Sequence, residues 1–188
     1  MENKKELMAL QKGLLQTQSF PLNQIFEFSL DKKNNWVKEI LLELIGSEPE
    51  GGIQNALENS TLNLNFSLQK LNSSRHDTYF VLSGQLNLNY QTECIKSLRP
   101  MFEELKLKLD LSFIAENFAL KSGMIDETEI FINDKLMELF FYKDDVLDLK
   151  ATVIELIEVN RNPYPTLIAD EENSIQKHLI ANIPTLKQ

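Results

Sequence analysis

The most chemically loaded spacing in this sequence is a cysteine three residues ahead of a serine, with cations and a proline close by: Cys94, Lys96, Ser97, Leu98, Arg99 and Pro100. Two thiolates at that spacing would begin a zinc site. A serine hydroxyl is a poor zinc ligand, however, and with a single cysteine in the chain a closed four-ligand site cannot be built. No structural metal and no other cofactor is expected. Nucleophilic catalysis by Cys94 would need a base within hydrogen-bond reach, yet His76 falls in a polar turn and His178 in a terminal helix, and both read as surface residues. Asp144, Asp145 and Asp148 could hold a divalent cation through hard oxygen ligands. Asp148 sits where a helix N-cap belongs, and the other two read as a solvated turn. Glu155 and Glu158 share a helix face by spacing, but Lys150 and Arg161 flank that side, which makes it a solvated face. No GxxxxGK phosphate loop occurs. The remaining use of the cluster is contact. Lys96 and Arg99, with Ser97 beside them and Pro100 to stiffen the turn, would present two cations and a hydroxyl with little entropy left to lose on binding. The bland alternative is a solvated turn with Leu98 and Phe102 tucked inward.

The elements that must position this cluster are strands. Phe80, Leu82, Leu86, Leu88 and Tyr90 recur at every second residue before it, and Leu105, Leu107, Leu109, Leu111 and Phe113 after it, the period of a half-buried strand. Proline lacks the backbone donor a ladder needs, so residues 92–102 read as the connection between them. Earlier in the chain, residues 1–20 carry leucines at helical spacing interrupted by Gly13 and a polar run, which predicts a marginal helix or an arm ahead of a single domain over 21–188. Ile25, Phe26, Phe28 and Leu30 predict a short strand. Asn35 is placed to cap a helix with Trp36, Val37, Ile40, Leu41, Leu44 and Ile45 on one face, ended by Gly46. A loop is expected over 47–52, a strand over 62–69, a turn over 71–77, and a close approach or bulge at Gly84. Residues 115–127 read as a loop with a helical turn, 130–132 and 137–142 as a strand pair, and the stretch from Asp148 as a helix with Leu149, Val153, Leu156 and Ile157 inward. A last helix is expected over 171–183. The sum is an α+β fold: a twisted, largely antiparallel sheet or partly closed barrel of about six strands with flanking helices.

The chain of 188 residues has a net charge of −9, and thirteen acidic against four basic residues between Asp126 and Glu172 account for all of it. Nucleic-acid affinity rests on neutralising phosphates, so broad gripping of RNA or DNA is excluded, while residues 92–108, with Lys96, Arg99, Lys106 and Lys108, leave room for one local contact. A single cysteine and the lack of an apolar signal core after Met1 suggest a reducing cytoplasm. No stretch approaches the length of a membrane span.

The segment from Cys94 to Phe102 between two strands resembles the C-x-R-C-L-x-P-F segment of the YceD-like large ribosomal RNA subunit accumulation proteins. Cys94, Leu98 and Pro100 match, Lys96 stands for the arginine and Ser97 for the second cysteine. The helix begun by Asp148 and Leu149 is similar to the family's aspartate-leucine-initiated helix, Pro165 to the second proline of the segment that follows it, and Ile183-Pro184 with Leu186-Lys187 to its closing pattern. Together these cover residues 62–188. The resemblance implies a non-enzymatic cytoplasmic factor needed for accumulation of large-subunit ribosomal RNA, with ribosomal or RNA-processing proteins as partners and a local RNA contact open. Two other readings stand beside it: an acidic protein-interaction adaptor with no ribosomal connection, and an enzyme whose pocket uses Cys94 or the Asp144, Asp145 and Asp148 carboxylates.

Overall fold

The computed structural model describes residues 12–47 and 49–167. Its centre is a meander of three long antiparallel strands, β3 (Thr61–Ser73), β4 (Asp77–Glu93) and β5 (Pro100–Ala115). Their period-2 alternation puts every second side chain on one face, and the register then stacks like on like: Leu64 pairs with Leu86 and Leu68 with Leu82, while Leu86 also pairs with Leu107 and Leu82 with Leu111. Three further strands complete an open six-stranded sheet in the order β2-β3-β4-β5-β7-β6, with β2 at Ile25–Leu30, β6 at Glu129–Ile132 and β7 at Lys135–Tyr142. All neighbours are antiparallel except β5 and β7, which run parallel and pair only from Leu111↔Glu138 to Ala115↔Tyr142. These six strands are the six expected, four from their alternation and β6 and β7 from short apolar runs, and the fold is α+β with a largely antiparallel sheet.

Helices α1 (Asn35–Ile45), α2 (Ile53–Asn59), α3 (Glu116–Ser122) and α4 (Leu149–Asn160) flank the sheet. Trp36, Val37, Ile40 and Leu41 of α1 and Leu149, Val153, Leu156 and Ile157 of α4 join Leu62, Leu64, Phe80, Leu82 and Phe113 in one core. Lys150 of α4 reaches Glu39 of α1 at 2.6 Å over its rim. Near the far end of the sheet a second, smaller core covers the opposite face: Tyr79, Ile114, Ile130, Ile132, Met137 and Leu139, with Phe118 and Met124 packed on it. That is why β5 loses its alternation at its end, where Leu111, Ser112, Phe113 and Ile114 are all buried.

Several boundaries differ from expectation for local reasons. Leu14–Gln16 is not helical but a strand, β1, antiparallel to β8 (Val146–Asp148), and Thr17–Ser19 is a 3-10 turn. Leu15 and Phe20 enter the core, and Asp145 latches the segment by accepting from the Thr17 and Gln18 side chains. The tertiary burial outweighs the helical leucine spacing. The N-cap position of α1 is Asn34, whose side chain accepts from the Asp31 amide, so Asn35 is already helical. Helix α2, hidden in a short polar stretch after Gly52, was not foreseen. The expected turn over 71–77 shrinks to residues 74–76, because β3 and β4 extend on either side. Gly46 ends α1 with φ +83°, and its amide returns to the Leu42 carbonyl. Asp148 caps α4 as expected, its Oδ1 accepting from the Ala151 amide at 2.8 Å. The helix expected over 171–183 lies outside the described residues.

Candidate functional site

Thr92 and Glu93 still belong to β4, and Pro100, Met101 and Phe102 to β5, so the connection is only residues 94–99. Pro100 is the first residue of its strand, opposite Glu93, a position where a missing donor is tolerated. Within the connection the Leu98 amide donates to the Cys94 carbonyl at 2.8 Å, forming one helical turn, and the Cys94 amide donates to the Arg99 carbonyl at 2.9 Å. Leu98 ends that turn in the left-handed region at φ +57°.

The base of the turn is clamped by the chain that leaves α4. The Ile95 amide donates to the Pro165 carbonyl at 3.0 Å, and the Leu167 amide to the Cys94 Sγ at 3.4 Å. Cys94 is fully buried. Burial pushes its thiol up, but hydrogen bonds from the Ser97 side chain and from the Leu167, Ser97 and Lys96 amides outweigh that and hold it below its ordinary value. The thiol is thus an internal acceptor that organises the turn rather than a group offered to a partner.

What the turn offers outward is mixed in character. Lys96 and Arg99 are exposed, with the Arg99 Nε donating to the Ser97 Oγ at 3.3 Å. Leu98 is 72 % exposed, and Ile95 and Phe102 are each 51 % exposed, so the inward-tucked alternative for Leu98 and Phe102 is overturned. The reason for Leu98 is the left-handed backbone, which directs it away from the core. Beside the turn lies an open groove of about 790 Å³, lined among others by Ile45, Tyr90, Ile95, Val159, Arg161 and Pro165. At its floor the Tyr90 hydroxyl donates to Glu103 at 2.7 Å; burial, then this hydrogen bond and the Glu103 charge, push the phenol well up. Arg161 opposes that rise and pairs with Glu158 at 2.7 Å. Val159 and Tyr164 add two more exposed apolar side chains on the α4 side. A second cavity of about 720 Å³ lies under Pro100 and Phe102, lined by the amides Asn55, Asn59, Asn89 and Gln91.

The other expected groups are placed elsewhere. Lys106 and Lys108 sit in ion pairs with Glu104 and Asp110. Asp144 and Asp145 form the left-handed corner between β7 and β8, and Asp145 and Asp148 are engaged as latch and cap. Glu155 is exposed on α4 and Glu158 is paired with Arg161. Among the described residues no group of three or more His, Cys, Asp or Glu side chains could hold a metal ion. His76 is not a surface residue: it is buried in the β3–β4 turn against Tyr79 and Ser73. Since β4, 17 residues long, separates it from Cys94, the two lie roughly 50 Å apart and cannot form a dyad. His178 lies outside the described residues. The groove residues Tyr90, Val159 and Arg161 escaped sequence reasoning, because each was absorbed as strand or helix pattern. Comparison with protein-family models, with curated proteins and with solved structures gives no match to this chain.

Leu98 gives a test of the turn that separates stability from function. A left-handed leucine costs about 1 kcal/mol that glycine avoids, and an exposed side chain has little packing to lose. Leu98→Gly is therefore expected to raise stability by about 0.5 to 1 kcal/mol in urea melts. A loss of 1 kcal/mol or more would mean that the leucine is held by contacts it does not show here.

Proposed function

We propose that this chain is a non-enzymatic cytoplasmic factor that supports accumulation of large-subunit ribosomal RNA, and that it docks on its partner through the 94–99 turn. The supporting observation is convergence. The two landmarks of the family resemblance, the Cys94–Pro100 segment and the proline-bearing exit of the Asp148 helix, lie about seventy residues apart in sequence and are joined by the Ile95–Pro165 and Leu167–Cys94 hydrogen bonds. Such joining gives a reason for both motifs to be read as one surface. Its chemistry suits a protein with apolar and acidic groups or a phosphate presented on such a protein: exposed Ile95, Leu98, Val159 and Tyr164 supply area, and Lys96 and Arg99 supply charge. The acidic remainder of the chain repels free RNA and favours basic ribosomal proteins as neighbours. No helix among the described residues is long and apolar enough to cross a membrane.

The test is complementation of a deletion strain, reading the ratio of large- to small-subunit ribosomal RNA. The wild-type gene should restore the ratio. Lys96→Glu with Arg99→Glu should not, while the purified variant keeps its melting temperature to within about 2 °C, since both side chains are exposed. Full restoration by the doubly reversed protein would remove the turn from the function. A deletion strain with a normal ratio would remove the ribosomal role altogether and leave an acidic adaptor.

A further inference from the structure

The outer edge of β5 is the longest run of strand without a neighbour among the described residues. β4 pairs along all of β5 from Pro100 to Ile114, but β7 occupies the other side only from Leu111 onward. Residues 100–110 therefore present one strand's length of outward amides and carbonyls, a ready template for another strand. We propose that this edge pairs, antiparallel and about a two-fold axis at Leu105, with the same edge of a second copy of this chain.

The charges along the edge select that partner and that register. In an antiparallel pair, residues opposite one another must both turn their backbone groups inward or both outward, so a strand pairing with itself centres on a residue. On the solvent-facing side the sequence runs Glu104, Lys106, Lys108, Asp110. A two-fold at residue 104 sets Glu104 against itself, and one at 106 sets Lys106 against itself. A two-fold at 107 sets Glu104 against Asp110 and Lys106 against Lys108. Centring on Leu105 sets Glu104 against Lys106 on both sides of the axis, with no like charges opposed. The same register lays Phe102 against the stem of Lys108, and on the other face it places Leu105 on Leu105, Met101 on Leu109, and Glu103, which accepts from the Tyr90 hydroxyl, beside Leu107. Leu105 and Leu107 are only half-buried in the monomer and already pack against the main core, so that core would run on into the second copy. The Glu104–Lys106 ion pair seen at 2.6 Å within one strand would become a four-charge cluster across the axis. An isologous contact of this kind closes on itself and leaves no edge for further growth at that site.

Sedimentation equilibrium on the full chain over about 1 to 100 µM tests this. The expected result is a concentration-dependent dimer in the wild type, weakened at least ~10-fold by Glu104→Lys and by Lys106→Glu taken singly, because each opposes like charges twice across the axis. An equimolar mixture of the two single variants should dimerise again, since every opposed pair is then attractive, and so should the doubly swapped chain. Amides of residues 101–110 should also gain exchange protection with concentration. A wild-type monomer at 100 µM overturns the proposal, as does a dimer indifferent to both single reversals. A wild type that dimerises only once residues 168–188 are removed overturns it too, by giving the edge to the chain's own C-terminal segment.

Discussion

Gly84→Ala is expected to destabilise the protein by about 3 to 5 kcal/mol, a large share of the ~5 to 15 kcal/mol that holds a domain folded. Gly84 lies mid-strand in β4, on the core side of the alternation and opposite both Phe66 and Leu109. A methyl group there would stand 2.2 Å from the Asn65 carbonyl oxygen and 2.6 Å from the Cα of Phe66. Both are backbone atoms of β3, so no side-chain rotation relieves the contact and the ladder itself must move. Phe66, whose backbone this close approach involves, stacks on its other side against Phe28 of β2, with ring centroids 5.0 Å apart. Ser83→Ala, one residue along and on the other face, should cost less than about 0.5 kcal/mol. Urea melts of the two variants decide the matter, and a Gly84→Ala loss below 1 kcal/mol would show that β3 can yield at that point.

That glycine was legible as a feature of the alternation because only a close approach or a bulge explains a missing side chain on an otherwise apolar face. The three long strands β3, β4 and β5 were legible for the same reason, since a period of two over six or more residues has no competing explanation, whereas β6 and β7 were read as short apolar runs about a polar corner. The short pieces were not. β1 and β8 are three residues each, too short to carry a period, and they exist because Leu15 and Leu147 fill the core from opposite chain directions. The parallel pairing of β7 with β5 was also beyond reach, since a strand's own pattern says nothing about which neighbour it takes. It depends on α3 and the β6–β7 hairpin, whose corner Asn133 and Asp134 make with both backbones left-handed.

At the candidate site the residues were legible and their roles were not. Cation, cysteine and proline between two strands marked a turn worth attention. Yet Cys94, the most reactive residue type there, is the buried anchor, and Leu98, the least reactive, is 72 % exposed. The inversion has a physical source. Capture of the chain after α4 by Cys94 and Ile95 requires contacts more than sixty residues away, and the left-handed φ of Leu98 is a property of the turn's closure rather than of leucine. The groove likewise joins α1, β4 and α4, whose residues Ile45, Tyr90 and Val159 belong to three separate elements with nothing in the sequence to show that they meet.

Trp36→Ala is expected to cost about 3 to 5 kcal/mol, the other large effect, because the indole is 1 % exposed in the first turn of α1 and leads the stripe formed with Val37, Ile40 and Leu41. Those four side chains seat α1 on the sheet in the same core as the α4 stripe, and Ile45 at the helix's other end forms one wall of the groove. Loosening α1 should therefore lower global stability and open the groove together. Trp36 is the only tryptophan, so the variant has no indole fluorescence and its melt must be followed by far-ultraviolet circular dichroism. Asn35→Ala is the matching control: Asn35 is exposed, and because the cap position belongs to Asn34, its loss should change stability by less than about 0.5 kcal/mol. If instead Asn35→Ala costs about 1 kcal/mol, the helix begins one residue later than drawn. Should Trp36→Ala cost under 1 kcal/mol, α1 would not be seated by its indole, and the groove wall would owe its place to Val37, Ile40 and Leu41.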